Sequence, residues 1–355
     1  MSETALPEPK RPARPSRVRW LLGVLVVVGA SALGLSWLER QLGPVAETGT
    51  AQAGAQAFEV APGWGAAQVA GALEDAGLVR NARVFSVYLQ LKDLDRSVGE
   101  GLYTLSPTLS VAQLAERLAQ GGQPRVTSVV IPEGFRTTQI VNRLKTELGI
   151  DVAPLVKRPG SLRPAFVPPG VGLEGYLFPA RYDFPVGLGP KEAVTLMLER
   201  FKRELTPAVR QNLQTLGLSV HTWVTLASMV QAEAGAYAEM PIIAGVFLNR
   251  LDRGMLLQSD PTVAYGLGKR LPDLDAVAGD LKQDTPWNTY TRAGLPPTPI
   301  GNPGARALSV IFQAQRTDAA GQPYLYFLHA PGGNFRPNLT LEDHNRDVAT
   351  YLRSR

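Results

Sequence analysis

The 355-residue chain has no cysteine, which excludes disulfides, thiolate metal sites and cysteine nucleophiles together. Histidine is scarce. His221, His329 and His344 are the only three and lack the close spacing of a zinc-binding helix, so no metal and no organic cofactor is expected. No GxSxG word marks a nucleophile elbow. A GxGxxG spelling occurs at residues 170–175, but Pro168 and Pro169 precede it where a strand is needed, so it does not read as a dinucleotide fingerprint. A broad basic field is missing too. The net charge is +5, yet the first 40 residues hold six Lys or Arg against three Glu, so most of the excess sits there and the body is unsuited to nucleic acid.

What is present describes a folded body. Hydrophobic residues make up 45% and charged residues 19%, in a chain long enough for two modest domains. Residues 20–38 carry no charge, and 19 residues of helix span about 28 Å, close to the hydrocarbon thickness of a bilayer. Lys10, Arg11, Arg14, Arg17 and Arg19 precede this stretch, which keeps the N-terminus cytoplasmic and places the body across the membrane. A cleaved signal peptide is the alternative; the apolar stretch is longer than an ordinary signal core, so an uncleaved single-pass transmembrane helix is expected. Residues 1–19, rich in Pro and Arg, read as a disordered cytoplasmic tail, and residues 39–56 as a linker.

A weak internal repeat follows. Residues 58–79 align with 129–150 at an offset of 71, matching Gly63 with Gly134, Gln68 with Gln139, Val69 with Ile140 and Leu73 with Leu144. Each copy reads as strand, Gly turn and helix, and the stretch from Gly101 reads the same way. Such β-α units suit a glycan-binding module and plain structural packing equally. Two helices are expected over 190–216, a third over 219–235 with Ser219 as N-cap, a fourth over 239–251, and after Gly254 a loop-rich stretch in which Pro and Gly interrupt regular structure.

Dense polar and aromatic words fill residues 173–345: LEGYLFPARYDF, ASMVQAEAG, VFLNRL, LQSDPTVAYG, PWNTYTRAGLPPTPIGNPG and EDHN. Packing alone does not require them. On the third helix Thr222, Leu226, Val230 and Glu233 share one face, so Glu233 is drawn toward apolar surroundings at a helix C-terminus. Both effects favour its neutral form, the form a general acid needs to protonate a glycosidic oxygen; a solvated Glu at a fraying helix end is the alternative. Asn249, Gln258, Ser259, Asp260, Asn288, Thr289 and Tyr290 offer amides, hydroxyls, a carboxylate and a ring of the kind that hold sugar hydroxyls. Tyr176, Phe178 and Trp287 could stack on pyranose faces or simply pack.

Taken in order, these words resemble the YceG-like family of endolytic murein transglycosylases, over the body from about residue 57 to the end. The resemblance implies an α+β enzyme with one N-terminal transmembrane helix, a small LysM-like module over 57–126 and a mixed, loop-rich catalytic domain over 127–355. It implies a single-pass protein of the cytoplasmic (inner) membrane with its catalytic body on the periplasmic side. There it would cut the MurNAc–GlcNAc bond inside peptidoglycan strands and leave a 1,6-anhydro end. The family's catalytic Glu falls on Glu233; Glu239 is implied as support, and Glu174 and Tyr176 of the LEGYLFPARY word join the expected substrate-binding set. Peptidoglycan strands are the implied partner, with peptidoglycan synthases beside them. The chain departs from the family at Asn334 and Phe335 and in the approach to EDHN. A water-using muramidase and a non-catalytic glycan-binding scaffold are the competing readings.

Overall fold

The computed structural model describes residues 17–47 and 54–352, the side chains of 17–24 and 27 excepted. Most of the expected cytoplasmic tail and part of the linker therefore lie outside the described residues. The chain divides into two compact units, Met1–Arg125 and Val126–Arg355.

The first unit begins with helix α1 (Arg17–Leu42). Among the described residues, no helix is long and apolar enough to cross a membrane. The apolar stretch 20–38 falls within α1, and several of its side chains lie outside the described residues; of the others, Leu25, Val26, Leu33, Leu35 and Trp37 are exposed. Then come strand β1 (Gln56–Val60), helices α2 (Ala66–Asp75) and α3 (Ala82–Leu91), strand β2 (Gly101–Leu105) and helix α4 (Val111–Ala119). β1 and β2 pair antiparallel, Gln56 opposite Leu105 and Val60 opposite Gly101. Alternation along each strand turns Phe58, Val60, Tyr103 and Leu105 to one side, where Val69, Leu73, Phe85, Leu89 and Leu114 of the helices close a core.

The second unit opens in the same order: strand β3 (Val126–Val130), helices α5 (Thr137–Leu148) and α6 (Ala153–Lys157), and strand β4 (Arg181–Pro185), antiparallel to β3. The aligned residues of the repeat occupy matching places. Gly63 and Gly134 take φ of 80° and 77°, a region that strains any residue with a Cβ. The side chains of Gln68 and Gln139 each accept the backbone N–H three residues earlier, at 2.9 and 2.8 Å. Val69 and Ile140, and Leu73 and Leu144, are fully buried. The third expected copy is β2–α4, where Ser110 N–H donates to the side chain of Gln113 at 2.9 Å.

Helices α7 (Pro190–Lys202), α8 (Pro207–Thr215), α9 (Val220–Glu233) and α10 (Met240–Asp252) form where periodicity and capping place them. Ser219 Oγ accepts from Thr222 N at 3.0 Å and starts α9. α9 differs from its expected single buried stripe: residues 223–230 are buried on all sides, because other helices pack around it. The stretch after Gly254 is loop-rich, as expected, with regular elements between the loops. That stretch contains α11 (Asp260–Gly266), α12 (Ala305–Val310), the antiparallel pair β5 (Tyr326–Ala330) and β6 (Asn334–Asn338), and α13 (Leu341–Tyr351). Asp347 on α13 accepts from Arg336 at 2.9 Å and Asn338 at 2.8 Å, tying the last helix to β6. The architecture is α+β, as expected.

Candidate active site

α9 is buried from Trp223 through Val230 and ends on Glu233. Its last turn opens onto a cavity of about 480 Å³ walled by Arg250 of α10, Gln258, Asp260 at the start of α11, Tyr290, and Tyr326 and His344 beyond. Glu233 keeps part of its surface open to this space. Ser259 Oγ–H donates to Glu233 Oε1 at 2.5 Å. Burial pushes the carboxyl from its ordinary 4.5 up to about 7; the nearby Asp260 charge adds to the rise, while the Ser259 bond and Arg250 oppose it. Near neutral pH both protonation states are therefore populated.

The walls are fixed from behind. Gln258 sits at φ 51°, a conformation rare for a residue with a side chain, and its N–H donates to Thr289 O at 3.0 Å. Thr289 Oγ1 accepts Ser259 N–H at 2.9 Å and bonds Thr262 Oγ1 at 2.9 Å, so the SD and NTY words are clipped together. Tyr290 O–H donates to Asp260 Oδ1 at 2.6 Å. Buried Asn288 donates to Leu281 O and Gln283 O and accepts from Tyr290 N, which sets the loop rather than facing the cavity. Glu239 accepts from Gly235 N at 2.8 Å, Ala236 N at 3.1 Å and His329 Nε2 at 3.0 Å. Burial works against its ionisation, but these donors hold its carboxyl below the ordinary value. It thus clamps the backbone that follows Glu233.

Three expected binding residues stand elsewhere. Tyr176 is fully buried against Phe166 and Phe201, its hydroxyl 2.7 Å from His221 Nδ1, so it packs the core and has no face for a sugar. Asn249 is buried and donates to Arg316 O and Tyr324 O at 2.7 and 2.8 Å, pinning the approach to β5. Glu174 lines a different cavity, with Tyr265 and Trp287. We expect Tyr176→Phe to cost about 1 kcal/mol in a urea titration, the net worth of one hydrogen bond, with no change in any activity of the Glu233 cavity.

Arg250 and Tyr326 were not singled out from the sequence, and His344 was weighed only as a metal ligand. Arg250 is buried: its Nε donates to Leu325 O at 2.7 Å, its Nη1 to Leu257 O at 2.8 Å, and the guanidinium lies 5.0 Å over the Tyr326 ring. Tyr326 stacks on His344 at 5.4 Å, and burial followed by the Arg250 charge holds the imidazole below its usual range. The NRL and EDHN words were the available signal. Among the described residues no group of three or more His, Asp or Glu could hold a metal ion.

Comparison with known proteins adds a consistent set of likenesses. An endolytic murein transglycosylase of Bacillus subtilis (strain 168) is 27% identical, across 93% of this chain and 92% of its own length. A protein of the same name from Streptococcus pneumoniae (strain D39) is 30% identical across 80% of this chain, which spans 56% of that relative. The crystal structure of a YceG-like protein from Listeria monocytogenes superposes with a TM-score of 0.54 at 29% identity, over 83% of this chain and 99% of its own. With the model of the YceG-like family matching residues 58–350, the chain belongs to that family.

Proposed function

We propose that this chain is a membrane-anchored lytic endotransglycosylase that cleaves the MurNAc–GlcNAc bond inside peptidoglycan strands. The observation that carries this reading is the half-neutral carboxyl of Glu233 in a cavity bordered by an amide, hydroxyls and rings. Ser259 donates to Oε1, so the acidic proton resides on Oε2, from which it passes to the glycosidic oxygen as the bond to C1 of MurNAc breaks. The GlcNAc-bearing segment leaves with that proton. Glu233, now a carboxylate, takes the proton of the MurNAc 6-hydroxyl as O6 closes on C1, giving the 1,6-anhydro end and the original acid. Asp260, which accepts from Tyr290, faces the developing oxocarbenium charge.

Relatives bearing the name endolytic murein transglycosylase support the reaction class. Support for the anchor comes from the exposed apolar side chains spread around α1 and the cations before it; we place the body on the periplasmic side. The strand–helix–helix–strand order of the first unit supports a LysM-like glycan-holding module, and synthases that supply the strands are the proposed protein partners.

A hydrolytic muramidase has one observation in its favour, the second carboxylate, Asp260, in the same cavity. Mass spectrometry of digested strands separates the readings. Lytic cleavage yields products lighter by one water than hydrolysis does, and a scaffold yields none. Because the acid must be protonated, we expect the rate to fall as pH rises through about 7, a limb that a pH–rate profile will show.

A further inference from the structure

We propose that the second large cavity of the Val126–Arg355 unit is a binding site for the acidic stem peptides carried by the glycan, which rests on the function proposed above. This cavity measures about 710 Å³ and its chemistry differs from that around Glu233. Apolar side chains, Val141, Val156, Val171 and the Trp287 ring among them, form its walls, which suits short aliphatic side chains such as alanine methyls. Lys157 and Arg158 border it, both exposed and without an ion-pair partner among the described residues. Thr138 and Asn142, one turn apart on α5, present exposed side chains with no hydrogen-bond partner among the described residues.

The one acid at the cavity does not offset those cations for a ligand. Glu174 Oε1 accepts from Thr137 N at 2.9 Å, Thr137 Oγ1 at 3.0 Å and Asn302 Nδ2 at 3.1 Å, and Oε2 from Tyr265 O–H at 3.0 Å. Burial pushes this carboxyl up, opposed by the Thr137 and Tyr265 hydrogen bonds and the Arg136 charge. What remains is a greasy slot with two free cations, a hydroxyl and an amide at its edge. That set fits a short peptide with small side chains and carboxylates, and it does not fit a sugar, which needs many hydroxyl partners.

The two cavities are joined by shared elements. α11 shows Asp260 to the Glu233 cavity and Tyr265 to the second one. Five helical residues advance about 7.5 Å, while a peptide of three to five residues extends roughly 10–17 Å. The loop that brings Tyr290 to one cavity brings Trp287 to the other. A strand seated at Glu233 can therefore drop a peptide into the slot, and the enzyme would read whether that peptide is present.

The test compares the full wild-type chain with Lys157→Glu/Arg158→Glu, two exposed changes that leave the core intact. Both are assayed on strands that keep their peptides and on strands stripped by an amidase. The site predicts a lower KM for peptide-bearing strands in the wild type. It predicts that the double variant raises this KM about tenfold, with kcat and stripped-strand cleavage unchanged. Equal behaviour of the two proteins on both substrates, or an equal loss on both, overturns the site. Calorimetry with a free L-alanyl-D-glutamyl peptide keeps the proposal apart from the cleavage reading. Binding by wild type that the double variant loses supports the slot even if no strand is cut, and no binding by wild type refutes it.

Discussion

Glu233→Gln is expected to lower strand cleavage by about 10²–10⁴-fold, the usual contribution of a positioned general acid, while leaving the protein folded. The amide matches the carboxyl in size and can still accept from Ser259, so the cavity keeps its shape. What it cannot do is surrender a proton to the glycosidic oxygen or take one from the 6-hydroxyl. Stability should move the other way. Wild-type Glu233 rises from 4.5 to about 7 on folding, so its neutral form favours the fold fully below about 4.5 and that benefit disappears as pH rises through about 7. The variant has no such loss. It should match the wild type near pH 4 and exceed it at pH 8 by on the order of 3 kcal/mol in denaturant titrations, stability that the enzyme forgoes for its acid.

The second large effect belongs to Arg250. Replacing it with Met fills similar volume but strands the carbonyls of Leu325 and Leu257 beneath a buried surface. Hydrogen bonds from a charged donor contribute about 1.5–3 kcal/mol each, so Arg250→Met should destabilise by about 3–4 kcal/mol. A functional signature accompanies this. The Arg250 charge opposes the rise at Glu233, and its removal should carry the falling limb of the pH–rate profile to higher pH. A purely structural residue would lower stability without moving that limb.

Much of this was legible in the sequence for identifiable reasons. α7 to α10 were readable because apolar periodicity and the Ser219 cap are local signals. Glu233 stood out as the acid ending an apolar helix, and the surrounding words converge on its cavity in Gln258, Ser259, Asp260 and Tyr290. Tyr176 was misplaced because an aromatic between Gly and Leu looks the same in a core and in a cleft; its burial depends on Phe166 and Phe201, 10 and 25 residues away and outside its own word. Asn249 and Glu174 could not be placed from sequence for a related reason, since their partners lie 37 to 128 residues away. Arg250 was overlooked because an Arg on a helix ordinarily points to solvent. The β5–β6 pair and α13 hid among Gly, Pro and charged residues; Leu328 and Ala330 are buried, Phe327 and Phe335 pack on the core, and the Arg336–Asp347 pairing ties α13 to β6.

The most direct test of the account is a carbon-13 titration of the Glu233 side-chain carboxyl, assigned by its disappearance in Glu233→Gln. A midpoint at about 7 is the predicted result. A midpoint near 4.5, the ordinary value for glutamate, would leave no proton to donate at neutral pH and would contradict the assignment of Glu233 as the acid.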